Sequence, residues 1–194
     1  DWDARWSAES EPTTLASFWA DELWTLAGRR RAPHGNMWEA IEALSGREKL
    51  DALDRAVTRL ERDWRGWRVP WGEVNRFQRL DDAITNQTFH DDGASIPVPF
   101  AAARWGSLAS FASRAYPGTR RWYGTGGNSF VAVVEFGPRI RAWAVTAGGE
   151  SGHPGDRHFN DEAERYAGGN LRPVYFYDAD LAGHTERSYH PGSR

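Results

Sequence analysis

Residues 129–147 read SFVAVVEFGPRIRAWAVTA. In 129–136 apolar side chains occupy both alternating faces, the mark of a strand covered on each side. Gly137-Pro138 supplies a turn, and 140–147 reads as the returning strand of a hairpin. Downstream lies a glycine-rich loop, Gly148-Gly149-Glu150-Ser151-Gly152. Asn160 is then placed to cap a short helix over 161–166, stopped by Gly168-Gly169. Residues 174–177 (VYFY) predict a third strand, and Asp178 caps a brief helix ending near Gly183.

Upstream the periodicity is helical. Over 12–27, Leu15, Phe18, Trp19, Leu23 and Leu26 fall on one stripe of period 3.6. Pro12 suits the first turn, with Ser10 or Glu11 just outside it. The run Arg29-Arg30-Arg31, ahead of Pro33, complements the C-terminal dipole and reads as a solvated end. A second helix is predicted over 37–44 with Asn36 as cap and Glu39 three residues on. Ser45 and Glu48 form a capping box for a third helix. On it Leu50, Leu53, Val57, Leu60 and Trp64 form a narrow seam for another helix, with Asp51–Arg55 and Glu61–Arg65 as outer-face pairs. From 67 to 125 no period survives, and a stretch this long and aromatic is expected to wrap over other structure.

These readings give an α+β chain in three segments. Residues 1–68 are helical, 69–128 form an irregular aromatic-rich wrap, and 129–194 carry the hairpin, short helix and terminal strand. Together they make one partial domain. No repeat or low-complexity tract is present.

Composition narrows the function classes. The 194 residues are 40% hydrophobic and 26% charged with a formal net charge of −3. That excludes a disordered chain, and a nucleic-acid binder would be far more basic. No apolar run approaches the roughly 20 residues of a membrane span. With no cysteine there is no disulfide framework or thiol nucleophile, and the redox compartment stays open. All basic residues but Lys49 are arginine, a genome bias more than a binding surface. A start at Asp1, without Met or a signal segment, reads as a processed or trimmed product. The eleven tryptophans are read as extended core or, alternatively, as a surface of Trp67, Trp71, Trp105 and Trp122 that stacks sugars or peptides.

Residue chemistry alone names no activity. Gly148–Gly152 is not the G-x-S-x-G nucleophile elbow, because Glu150 precedes Ser151 and Gly152 follows it directly. No lysine follows the glycines, so it is no P-loop; a turn needing positive φ is the simpler reading. A small hydrolase built on Ser151, His158 and Asp161 would have no recognised triad spacing. His153 and His158 with Asp156 and Asp161 suggest a metal cluster, but H-x-x-x-x-H does not put both rings on one helical face. His158 is better read as fixing the start of the short helix. Asp81-Asp82 and Asp91-Asp92 could supply paired carboxylates, yet such dipeptides are commonly solvated turns. Glu73 and Asn75, beside Trp71 and Arg76, could line a pocket.

Resemblance adds what spacing does not. Residues 123–137 (YGTGGNSFVAVVEFG), 141–177 (RAWAVTAGGESGHPGDRHFNDEAERYAGGNLRPVYFY) and DLAGH at 180–184 resemble the C-terminal end of the β subunit of the penicillin acylase family, also called the penicillin amidases. The family pattern there is a strand pair, G-G-Q-S-G, a short insert and H-[FY]-x-D-Q. It is met by Gly148, Gly149, Ser151, Gly152, His158, Phe159 and Asp161. It departs at Glu150 and Glu162, where glutamine is commoner. WDARWSAESEPTTLASFW and WRVPWGEVNRFQRL also resemble the matching stretch, so the resemblance covers nearly the whole chain.

The resemblance implies an αββα N-terminal nucleophile hydrolase that cleaves the acyl amide of a β-lactam, an acyl-homoserine lactone or a lipopeptide. A serine at a self-processed β-chain N-terminus attacks, with its own α-amino group as base. By the same resemblance those groups, and the oxyanion asparagine and arginine, lie upstream of this stretch. Asn75-Arg76 is not that pair. No catalytic, cofactor-binding or metal-binding residue is therefore expected in this chain, and any structural calcium of the family would bind elsewhere. The expected partners are the remaining α and β chains and a small acyl amide, with no nucleic acid and no membrane span. The expected location is periplasmic or secreted. The chain should expose a sheet edge and apolar faces, and so associate with itself or with the rest of the enzyme.

Overall fold

A computed structural model describes residues 2, 4–31, 34–83, 87–185, 187, 188, 190 and 192. It opens on three helices: α1 (Glu11–Arg30), α2 (Met37–Glu42) and α3 (Gly46–Trp64). Their starts follow local chemistry. The Ser10 hydroxyl accepts from Thr13 N–H, the Asn36 side chain accepts from Trp38 N–H, and Ser45 with Glu48 closes a reciprocal capping box. Arg29 and Arg30 lie inside the last turn of α1, beyond the predicted end, and Arg31 is its C-cap. Pro33 falls outside the described residues.

The seam on α3 differs from expectation. Ala52, Ala56 and Leu60 are buried, while Leu50 is 65% exposed. Two alanines and a leucine four residues apart form a low ridge that lets α1 approach closely, a gain that leucine-weighted periodicity overlooks. The charges follow the same geometry. Arg55 pairs with Glu22 of α1 at 3.2 Å instead of Asp51, and Arg59 reaches Asp21 at 2.9 Å. Arg65 caps α3 in the left-handed conformation at φ 61°. Exposed pairs of this kind contribute about 1 kcal/mol or less each.

The stretch 69–128, read as an irregular wrap, instead builds a sheet. One turn of helix, α4 (Trp71–Val74), leads into β1 (Asn75–Phe77), followed by β2 (Ile96–Pro97), a 3₁₀ turn (Ala103–Trp105), β3 (Phe111–Ala115) and β4 (Trp122–Gly127). The strand order is β2-β1-β4-β3. β1 and β4 are parallel and the other pairs antiparallel. Pro97 is tolerated because β2 is an edge. Strands of two to six residues, one with a register shift at Ala112/Ser113 and one ending in Gly126-Gly127, leave no run in which a period of two could be read.

The second sheet contains the expected hairpin, β5 (Phe130–Glu135) with β6 (Arg141–Thr146), and β7 (Arg172–Pro173), in order β5-β6-β7. The third strand is two residues at 172–173, not 174–177. One further bond, Val174 N–H to Ala142 O at 2.8 Å, closes it before the chain turns into α6 (Asp178–Leu181), whose N-cap is Tyr177 and not Asp178. The short helix α5 spans Ala163–Ala167 with Glu162 at its N-cap. Asn160 does not cap it, because its amide donates to Arg79 O.

Two cores separate three layers. Phe18, Ala56, Leu60, Val69, Trp71, Val74 and Trp122 join the helices to the first sheet. Val98, Phe111, Val145, Tyr166 and Ala167 join the first sheet to the second and to α5. The architecture is α+β, a helical start followed by largely antiparallel sheets. The expectation that 129–136 is covered on both faces is not met within this chain. Phe130 is 60% exposed, Val133 54% and Val134 46%, and Phe136 beyond the strand is 82% exposed. β5 is an edge strand with one neighbour, and of its apolar side chains Val131 packs against the second core while Phe130, Val133 and Val134 stay exposed.

Candidate functional site

The loop Gly148–Gly152 is stacked on the segment 156–162. Ser151 N–H donates to His158 O at 3.1 Å, and Glu162 N–H donates to Gly148 O at 2.9 Å. None of the loop's glycines has positive φ. The requirement is space: a Cβ on Gly149 would sit 2.1 Å from His158 O. The turn-with-positive-φ reading is thus replaced by close backbone approach.

Arg79, just beyond β1, ties this loop to the first sheet. It donates to Phe159 O at 2.6 Å and Ser151 O at 3.1 Å, and its guanidinium lies 3.9 Å from the Phe159 ring centre. Its own carbonyl accepts from Asn160. Sequence reading missed Arg79, because its partners lie some 70 to 80 residues away.

The trio Ser151, His158 and Asp161 does not assemble into a charge-relay site. His158 Nδ1 bonds Asp161 Oδ2 at 2.7 Å, and that bond holds the Asp161 carboxyl below the usual range. The other ring nitrogen accepts from Arg157 Nε at 2.8 Å, which leaves none to take a serine proton. Ser151 Oγ accepts from His153 N–H instead. The Asp156 carboxylate receives His158 N–H at 2.7 Å, so it closes a turn. Among the described residues no three His, Asp or Glu side chains are placed to hold a metal ion, so His153, His158, Asp156 and Asp161 do not gather as a cluster.

Asp81, Asp91 and the Glu73–Arg76 stretch also make structural contacts. Asp91 accepts from the backbone N–H groups of Arg120 and Arg121 and from the Tyr123 hydroxyl. Its oxygens are occupied, leaving no free general acid or base. Asp81 closes a turn onto Ala83 N–H. The buried Asn75 donates to Val98 O and Phe100 O and accepts from Ser113. Arg76 is spent on Ser95 and Gly72 O, and burial, with Arg121 nearby, lowers its pKa. Glu73 faces Arg121 at 3.9 Å. Of the four tryptophans considered for stacking, Trp71 and Trp122 are core residues at 2% and 7% exposure, so they form no common surface with Trp67 and Trp105.

One cleft of about 390 Å³ opens between the sheets, lined by Phe77, Arg79, Phe89, Phe111, Tyr166 and the glycines of β4. Its titratable side chains are Arg79 and Tyr166, which cannot make a nucleophile and base.

The family model described as penicillin amidase matches residues 1–183. The chain belongs to the penicillin amidase family. The stacked loop gives physical content to its G-G-x-S-G…H-F-x-D pattern, and the two departures from glutamine are locally compensated. Glu162, 8% exposed, pairs with Arg172 at 2.9 Å and Arg165 at 3.6 Å. Glu150 accepts from the Thr146 hydroxyl at 2.7 Å.

Two tyrosines carry a pH consequence. Burial, then the Asp91 hydrogen bond and charge, pushes Tyr123 up to about 12; burial alone pushes Tyr166 up to about 12. The fold favours their protonated forms. The stability they supply is present below an unfolded pKa of about 10 and is lost as pH rises through the folded value. A spectrophotometric titration should leave Tyr123 and Tyr166 protonated at about pH 11. Ionisation of Tyr123 and Tyr166 near pH 10 in the folded protein would contradict the burial argument.

Proposed function

We propose that these residues form the C-terminal part of the β subunit of a penicillin acylase-like amidohydrolase, with an αββα fold completed by the rest of the enzyme. The substrate is an acyl amide, in a β-lactam, an acyl-homoserine lactone or a lipopeptide. A serine outside this stretch attacks the carbonyl while its free α-amino group takes the proton; the acyl-enzyme then yields to water. A backbone N–H and an asparagine side chain, also outside, stabilise the oxyanion. The enzyme acts in the periplasm or beyond the cell. Within this assembly the role of residues 1–194 is architectural.

The observation carrying this reading is β5, apolar on both faces, with Phe130, Val133 and Val134 exposed and Val131 packed against the second core. An edge strand with bare Phe130, Val133 and Val134 is an aggregation hazard in isolation and a ready surface for further layers. The occupied side chains of Ser151, His158, Asp91 and Asn75 support it, since none is poised for chemistry.

The test treats the full-length protein with a sulfonyl fluoride while following turnover of a chromogenic acyl amide. Turnover should fall with incorporation of one label, mapped by peptide mass outside residues 1–194. Ser151→Ala should leave turnover unchanged. A label on Ser151, or loss of activity in that variant with the fold intact, would overturn the assignment.

A further inference from the structure

Between α3 and the turn that joins β3 to β4 lies a cleft of about 380 Å³. Arg59 and Arg62, one helical turn apart on α3, reach it from one element, and Arg120 reaches it from the other. Each of the three is held in place. Arg59 lies 4.8 Å from the Phe18 ring centre and 5.3 Å from that of Trp122, and its Nη1 donates to Asp21 at 2.9 Å. The Arg120 guanidinium lies 4.3 Å from the Trp64 ring centre, and its backbone N–H donates to Asp91. Arg62 forks onto Asp63, Nε to Oδ1 at 2.5 Å and Nη2 to Oδ2 at 2.8 Å.

These contacts leave donors over. Among the described residues no carboxylate or carbonyl accepts from the Arg120 guanidinium, and Nε and Nη2 of Arg59 and Nη1 of Arg62 are also unclaimed. The lining sets three guanidiniums against one carboxylate, Asp63. That carboxyl is held below its usual range by the Arg62 hydrogen bond first and, against some desolvation, by the charges of Arg62, Arg59 and Arg120. All three cations therefore bear on one point. Planar forks converging from two elements match an oxyanion with several oxygens. Asp63 narrows the choice further. A carboxylate has lone pairs beyond the two that Arg62 engages, so it repels an oxyanion unless that ion brings a proton to share.

We infer that this cleft binds inorganic hydrogen phosphate, with its bare oxygens on Arg120, Arg59 and Arg62 and its hydroxyl donating to Asp63. Sulfate has the same shape and charge but no proton, and the dianion of a phosphate monoester has none either. Both meet Asp63 as an unbridged like charge. The bound ion links α3 to the first sheet, so it stabilises the fold by mass action.

The test is calorimetric titration of the full-length protein with inorganic phosphate, sulfate and methyl phosphate at about pH 8, where all three are mainly dianions. Phosphate should bind about tenfold or more tightly than either of the others. Arg120→Gln should weaken phosphate about tenfold. Arg120 is exposed, so circular dichroism should show its variant folded like the parent. Asp63→Asn should bring the three anions within about twofold of one another, since the amide no longer demands a proton. Thermal unfolding at matched ionic strength should show a higher midpoint in phosphate than in sulfate, a difference absent from Arg120→Gln. Absence of phosphate binding would overturn the inference. So would equal binding of sulfate or methyl phosphate by the parent protein, phosphate binding unchanged by Arg120→Gln, or a preference that survives Asp63→Asn.

Discussion

Gly149→Ala is expected to destabilise the protein by about 3 kcal/mol, while Gly152→Ala stays within about 0.5 kcal/mol of the parent. Both glycines belong to the same five-residue loop and neither has positive φ, so backbone entropy does not separate them. Space does. The added methyl at 149 would lie 2.1 Å from His158 O and 2.8 Å from Asp161 Oδ1, whereas at 152 nothing lies within 4 Å. The first obstacle is a carbonyl already accepting from Ser151 N–H, and it cannot swing away like the end of a side chain. The two strands of chain must separate. That stretches the Ser151–His158 and Glu162–Gly148 bonds and draws Ser151 O and Phe159 O off Arg79. Denaturant unfolding of the full-length variants, followed by tryptophan fluorescence, measures the contrast. Equal midpoints for the two alanine variants would refute the close-approach account of this motif.

The same loop shows how far sequence reading reaches. The glycines, Ser151, His158 and Asp161 were visible as a pattern, and so were the caps Ser10, Asn36 and Ser45, because capping is chemistry within three residues. The hairpin was visible because its two six-residue strands are contiguous in the chain. The first sheet was not, since its central pairing joins Asn75 to Trp122 across a long excursion. The α3 seam was read in part: Leu60 is buried and Trp64 packs on the core, but Leu50 is exposed, and Ala52 and Ala56 were passed over because alanine carries little hydrophobic weight. Arg79, and the cleft of Arg59, Arg62 and Arg120, depend on partners from distant segments. No local spacing encodes either. β5 was read correctly as apolar on both faces, and the cover expected on each is incomplete among the described residues.

Trp122→Ala is expected to cost about 4 kcal/mol, and Trp122→Phe less than half of that. Trp122 sits in β4 opposite Asn75 on one side and Ala115 on the other, in the middle of the first sheet. Its indole stacks on Phe18 of α1 at 4.6 Å and 25°, and meets Trp71 edge-on at 5.9 Å and 81°. Arg59 of α3 covers it at 5.3 Å and also covers Phe18. One side chain therefore joins α1, α3, α4 and the sheet. Truncation to alanine removes the contact surface of all four at once, and the surrounding β-ladder cannot collapse into the void. Phenylalanine keeps the stack on Phe18 and loses mainly the Trp71 edge and part of the Arg59 contact. The measurement is denaturant unfolding of the full-length protein, with far-ultraviolet circular dichroism to report the helices. An alanine variant as stable as the phenylalanine one would mean that the helical layer is held on the sheet by other contacts, and that this core is not the junction it is argued to be.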